Sequence, residues 1–225
     1  MCGRFTLTNP DPATLRARFD LDPFAELDER PRFNIAPTDP VLAIRAAAGE
    51  RREAGRLRWG LLPGPWAKDG GRPLINARAE TIAEQPAFRD SFLHRRCLIP
   101  ADGFYEWREN DAGKQPVWIS RSDEEPFAFA GVWAGLDDSG DAPIHSCAIV
   151  TCEPNDLVRP IHNRMPVILA PRAEGSWIAD GKPDALLNLL RPCDADLLEV
   201  REVSDAVNDV REDGAHLLAP PLKLF

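Results

Sequence analysis

No apolar stretch in this 225-residue chain approaches the ~20 residues needed to cross a bilayer, and MCGRFTLTNPD has neither the basic start nor the apolar centre of a secretory leader. The chain therefore reads as cytoplasmic and without a membrane partner. Glycine stands third and not second, which excludes N-myristoylation. Cysteine is scarce and odd in number (Cys2, Cys97, Cys147, Cys152, Cys193) and forms no C-x-x-C pair, so neither a disulfide framework nor a structural zinc site is expected. With only four histidines, a metal site is not expected either. There is no G-x-G-x-x-G, no Walker A loop, no G-x-S-x-G elbow and no H-E-x-x-H, so no cofactor is expected.

Positive charge is also in short supply. The formal charge of −9 excludes a body coated in cations for nucleic acid. Only Lys68, Lys114, Lys182 and Lys223 are lysines among the 27 basic residues, and arginine supplies the rest. Arginine is the better bidentate ligand for phosphate. The acidic excess gathers in the last quarter of the chain, after residue 171.

What is present is enough for a core, at 44% hydrophobic. Short runs rich in β-branched and aromatic residues recur: VLAIRAA, RLRWGLL, PLINARA, CLIPADGFYEW, PVWISRS, FAFAGVWAGL, IHSCAIVTC, MPVILA and LEVREV. Helical patches lie between them, at ATLRARF behind an Asp11 N-cap, and near ETIAEQPAFRDSFL, NDLVRPI, EGSWIAD and PDALLNLL. The 22 prolines are dispersed and mark turns, one group forming a connector at NIAPTDP. This order predicts an α+β fold, one domain over residues 1–225, with a mainly antiparallel β-sheet or open barrel and short helices outside.

Several polar residues interrupt the apolar runs. LINARAE places Asn76, Arg78 and Glu80 at alternate positions, on one face of a predicted strand. Glu106 is flanked by Tyr105 and Trp107, where burial would perturb a carboxyl. His162 and Arg164 stand two apart before an apolar strand. The first residues are the most informative: once Met1 is removed, Cys2 offers an α-amine and a thiol on adjacent carbons, a pair that reacts with aldehydes.

The segments MCGRF, NIAPT, RWGLLPGPW, NARAET, RRCLIPADGFYEW, FAFAGVW, TCEPN and IHNRMPVIL, in that order over residues 1–170, resemble the SOS-response-associated peptidase family, abasic-site processing proteins that crosslink to damaged single-stranded DNA. The resemblance implies catalytic roles for Cys2, Asn76, Glu106 and His162. It implies phosphate contacts from Arg4, Arg78 and Arg164, a further DNA-backbone contact at Thr151, and aromatic contacts from Trp66 and Trp107. The implied partner is single-stranded DNA containing abasic sites, bound by a monomer, with no metal. The implied chemistry is a thiazolidine between Cys2 and the open-chain sugar aldehyde that shields the lesion, together with lyase and Met1-removing activities. Two other readings fit the residues: an N-terminal-nucleophile cysteine hydrolase, and a non-catalytic single-strand-binding module.

Overall fold

The computed structural model describes residues 2–47, 52–62, 72–111, 113–136 and 144–221. Among these residues thirteen strands form two sheets. The smaller contains β1 (Phe5–Leu7), β2 (Arg32–Ile35), β7 (Gly103–Asn110), β8 (Gly113–Arg121) and β13 (Leu198–Glu202), in the order β13-β8-β7-β1-β2. The larger contains β3 (Pro40–Ala46), β4 (Arg52–Trp59), β5 (Asn76–Arg78), β6 (Arg96–Ala101), β9 (Phe127–Leu136), β10 (Ile144–Cys152), β11 (Met165–Pro166) and β12 (Ile168–Leu169). Its pairings close on themselves, because β3, β4, β10, β9 and β6 each pair with the next and β6 returns to β3. Every pairing is antiparallel except those of β10 with β4 and with β5. The predicted α+β class with mainly antiparallel sheets and short helices holds, with the barrel closed where an antiparallel sheet or open barrel was expected.

The proline pattern explains where the helices begin. Each of α1 (Pro12–Phe19), α2 (Pro86–His94), α3 (Pro171–Ile178) and α4 (Pro183–Leu187) has proline in its first turn, where the missing N–H costs nothing. Asp11 caps α1 by accepting from the Thr14 amide at 2.8 Å, and Asp20 closes it in the left-handed region. Arg96, 3% exposed, forms no salt bridge among the described residues; its guanidinium instead donates to carbonyls at the ends of α2 and α3, on Phe92, Leu93, Trp177 and Ala179. That fastens both helices to β6.

The structure corrects some sequence readings. NDLVRPI is a run of turns and not a helix: the Asn155 side chain accepts from the Val158 amide, and Pro160 has no N–H to continue a ladder. The CLIPADGFYEW run is two strands in different sheets, broken at Asp102. The expected connector at NIAPTDP starts inside β2, and the strand in LINARAE stops at Arg78.

The two sheets meet on aromatic rings. Phe5 from β1 packs edge-on against Trp59 at 5.2 Å and Phe129 at 5.6 Å, both from the barrel, while Phe104 from β7 meets Phe129 at 6.2 Å. Burying one such side chain contributes roughly 1.5–3 kcal/mol. Phe5 thus fixes the start of the chain, and Cys2 with it, against the barrel.

Candidate functional site

Strand register delivers Glu106 to the start of the chain. Phe5 pairs with Phe104 and Thr6 with Gly103, and the Tyr105 amide donates to the Arg4 carbonyl at 3.0 Å. Continuing that antiparallel register places Glu106 beside Gly3 and Cys2. The carboxylate of Asp102, at the break between β6 and β7, accepts from the Thr6 hydroxyl, from the Thr8 amide and hydroxyl, and from the Asn9 amide. It locks β1 against β7.

The barrel supplies the other side. The parallel pairing of β5 with β10 sets Asn76 opposite Ile149, and its side-chain amide donates to the Cys2 carbonyl at 2.9 Å. The Asn76 Oδ1 is buried with no hydrogen-bond partner among the described residues, an acceptor held inside the site. His162 sits at the end of the turn run, where Nδ1 accepts from the Arg164 amide at 3.0 Å. Nδ1 also lies 3.2 Å from the Arg164 carbonyl. Both bonds cannot form in one protonation state: a neutral ring that accepts at Nδ1 carries its hydrogen on Nε2, and a protonated ring donates from both nitrogens.

The electrostatics follow from burial. Cys2 is fully buried in the 225-residue chain, and burial pushes its thiol far up, with the Glu106 carboxylate adding in the same direction. Glu106 is itself only 3% exposed. Burial raises its pKa above the ordinary carboxylate value, and nearby His162 opposes the rise. Glu106 and His162 face a common cleft of about 840 Å³, lined also by Trp107, Lys114, Asn163 and Asn208. A second cleft of about 610 Å³ lies on the other side of Trp107, lined by Gly3, Arg4, Pro37, Thr38 and Val210. Thr38 holds a φ of 81°, rare for a β-branched residue, and its amide donates to the Trp59 carbonyl at 2.7 Å.

All four residues with expected catalytic roles, Cys2, Asn76, Glu106 and His162, are thus gathered at one place. Those expected to hold DNA are less uniform. Arg78 is exposed next to Asn76, and Arg4 lines the second cleft. Arg164 is engaged by the Glu80 carboxylate, at 2.7 and 2.9 Å, and by the Thr151 carbonyl at 2.6 Å. Its hydrogen bonds lower the Glu80 pKa. Thr151 is 1% exposed, its hydroxyl turned to the Ala77 carbonyl at 3.4 Å. Trp107 stands between the two clefts. Trp66 lies outside the described residues. Cys97, Cys147 and Cys152 are buried as small apolar side chains, and burial pushes Cys97 and Cys152 up to about 12.

Sequence reasoning missed Asn34, Asp102 and Asn208. Asn34 and Asp102 lie inside quoted motifs, NIAPT and IPADGF, where a polar residue amid apolar neighbours was the available signal. Asn208, in the acidic last quarter, gave none.

A buried cysteine near the chain start, its carbonyl held by the Asn76 side-chain amide, with a buried carboxyl beside it and an imidazole on the same cleft as that carboxyl, defines the class of site. The model of the SOS response associated peptidase family matches residues 1–210, and the chain belongs to that family. It is 45% identical to the abasic site processing protein YoaM of Bacillus subtilis over 224 residues, covering 97% of both chains. It is 33% identical to the abasic site processing protein YedK of Escherichia coli, covering 98% of this chain and 100% of that one. A crystal structure of a Bacteroides thetaiotaomicron protein shares the fold, with a TM-score of 0.83 at 24% identity over 98% of this chain and 100% of the other. The match through residue 210 extends past the segment where the resemblance was strongest, into the acidic last quarter.

Proposed function

We propose that this protein captures abasic sites in single-stranded DNA as a covalent adduct on Cys2. The observation that carries the reading is the convergence of Asn76 and Glu106 on Cys2, with His162 facing the cleft shared with Glu106. Its relatives' names, abasic site processing proteins, point the same way.

The chemistry starts with hydrolysis of the Met1–Cys2 peptide bond, which frees an α-amine. Unperturbed, that amine titrates near ~7.7–8.0, so an appreciable neutral fraction exists at neutral pH. The neutral amine adds to the open-chain sugar aldehyde, and the carbinolamine expels water to leave an imine. The Cys2 sulfur then adds to the imine carbon while its proton goes to nitrogen, which closes a thiazolidine. Aldehyde and aminothiol give one ring and one water. Glu106, buried and raised, shuttles protons between amine, carbinolamine and leaving water. His162 donates from Nε2 as the sugar ring opens, and Asn76 holds the Cys2 backbone in attack geometry. From the imine stage, loss of a proton α to the imine carbon and departure of the 3′ phosphate would give the lyase reaction. Arg4 and Arg78 offer guanidinium groups to the flanking phosphates, and Trp107 a ring to the bases.

The reading is tested by mixing the protein with two oligonucleotides of one sequence, with and without an abasic site. A denaturing gel should show a shifted band only with the abasic strand. Equal retention of both, lost on denaturation, would support a non-catalytic binding module. Turnover of peptides without any shifted band would support a cysteine hydrolase.

A further inference from the structure

We propose that the acidic segment Asp205–Asp213 is a working wall of the DNA site, with Asn34 the positioning residue for Arg4 and Asn208 the positioning residue for Trp107. The inference rests on the function proposed above and assigns a role to a part of the chain that the sequence motifs leave unused.

Asn34 is 1% exposed, and its side-chain amide donates to three carbonyls of this segment: Glu212 at 2.8 Å, Asp209 at 3.0 Å and Val207 at 3.4 Å. Its Oδ1 accepts from Arg4 Nη1 at 2.9 Å, and the same Nη1 donates to the Val207 carbonyl at 2.8 Å. Both hydrogens of Nη1 are therefore committed. Nε and Nη2, the edge that grips an oxyanion bidentately, have no partner among the described residues. The arrangement immobilises the guanidinium without consuming its phosphate-binding edge, so less side-chain freedom is lost when DNA arrives.

Asn208 performs the matching task for the ring. Its Oδ1 accepts from Trp107 Nε1 at 2.8 Å, which fixes the indole between the two clefts. The segment is anchored from below: Val207 is fully buried against the cluster that includes Tyr105, Trp118 and Leu217, and Asp213 accepts from the Phe33 amide and from Arg32. Above, Val210 is 55% exposed on the second cleft, an apolar surface beside the Trp107 ring. Two of its four acids are locally matched, Asp209 by Arg211 at 2.7 Å and Asp213 by Arg32 at 2.8 Å. A negatively charged strand meets less repulsion from Asp209 and Asp213 for that reason.

Asn34 is buried and its substitution risks the fold, so the test uses the exposed Asn208. Affinity for an undamaged single-stranded oligonucleotide, crosslinking rate on the abasic one, and melting temperature are measured for wild type, Asn208→Ala, Trp107→Phe and the double variant. Trp107→Phe keeps an aromatic ring and removes the N–H. Each single change should weaken affinity about five-fold, the worth of one hydrogen bond, with melting temperature unchanged. The half-saturating DNA concentration for crosslinking should rise in step. The double variant should be no weaker than the weaker single, because both remove the same bond. Wild-type affinity in Asn208→Ala, or losses that multiply in the double variant, would overturn the inference. A wild-type chain that forms no adduct at all would instead overturn the proposed function, so the two failures are distinct.

Discussion

At the scale of single residues, the proposed function gives each side chain around Cys2 a separable task. Cys2→Ala removes the sulfur but not the arginines, so it should abolish the stable adduct while binding of undamaged single strands stays within about two-fold of wild type; filter binding beside a denaturing gel checks both. Glu106 carries a prediction about stability as well as rate. Its carboxyl is raised by burial, so the protonated form is the one the folded state favours. Wild type then loses stability as pH climbs from the unfolded carboxylate value through the raised folded one. Glu106→Gln is free of that loss. Its melting temperature should match wild type in acid and equal or exceed it at neutral pH, while crosslinking slows at least ten-fold. A large fall in melting temperature at neutral pH would show that Glu106 serves the fold. In wild type the acid limb of the crosslinking rate should lie above the ordinary carboxylate range.

Elements bring these residues together, and Asp102 is where three of them are tied. Its carboxylate holds Thr6 of the N-terminal strand, and Thr8 just past its end, at the junction from which β7 runs on to Glu106. Asp102→Ala leaves those donors without their acceptor and should cost about 1–3 kcal/mol in urea unfolding, with slower crosslinking because Cys2 and Glu106 lose their common anchor. Much of this level was legible beforehand. FAFAGVWAGL and IHSCAIVTC are β9 and β10 from end to end, because both are apolar runs bounded by turn residues. The proline after Asp11 marked α1 correctly. The closing of the barrel was not legible, since β10 pairs in parallel with β4 and β5, and no local pattern encodes partners some seventy to ninety residues away. Asn76, Glu106 and His162 were visible as polar residues in apolar runs, and Cys2 by its place directly after Met1. The Arg164–Glu80 pair was not recognised, because Glu80 lies beyond the end of β5 and reaches Arg164 only through the turn that follows. The hold of Asn34 on the last quarter of the chain depends on carbonyls, which a sequence does not display.

At the scale of the whole molecule, a body of charge −9 must bind a polyanion through a local patch. Long-range attraction is weak, and salt sensitivity should be set by a few contacts. Each phosphate contact to a single strand contributes about 0.7 to the slope of log affinity against log salt. Arg78→Ala should lower the slope by about that amount, equally for all sequences. Arg164→Ala should scarcely change it, since that guanidinium is already held by Glu80 and Thr151, and should instead lower the melting temperature. A loss of slope in Arg164→Ala matching that in Arg78→Ala would mean that DNA displaces Glu80. The central claim, capture by the amine and thiol of Cys2, is met most directly by the intact mass of the denatured adduct with an abasic oligonucleotide. The predicted mass is that of the chain lacking Met1 plus the oligonucleotide minus one water, with the link mapped to Cys2. An adduct that retains Met1, or one linked to a lysine or an internal cysteine, would contradict it.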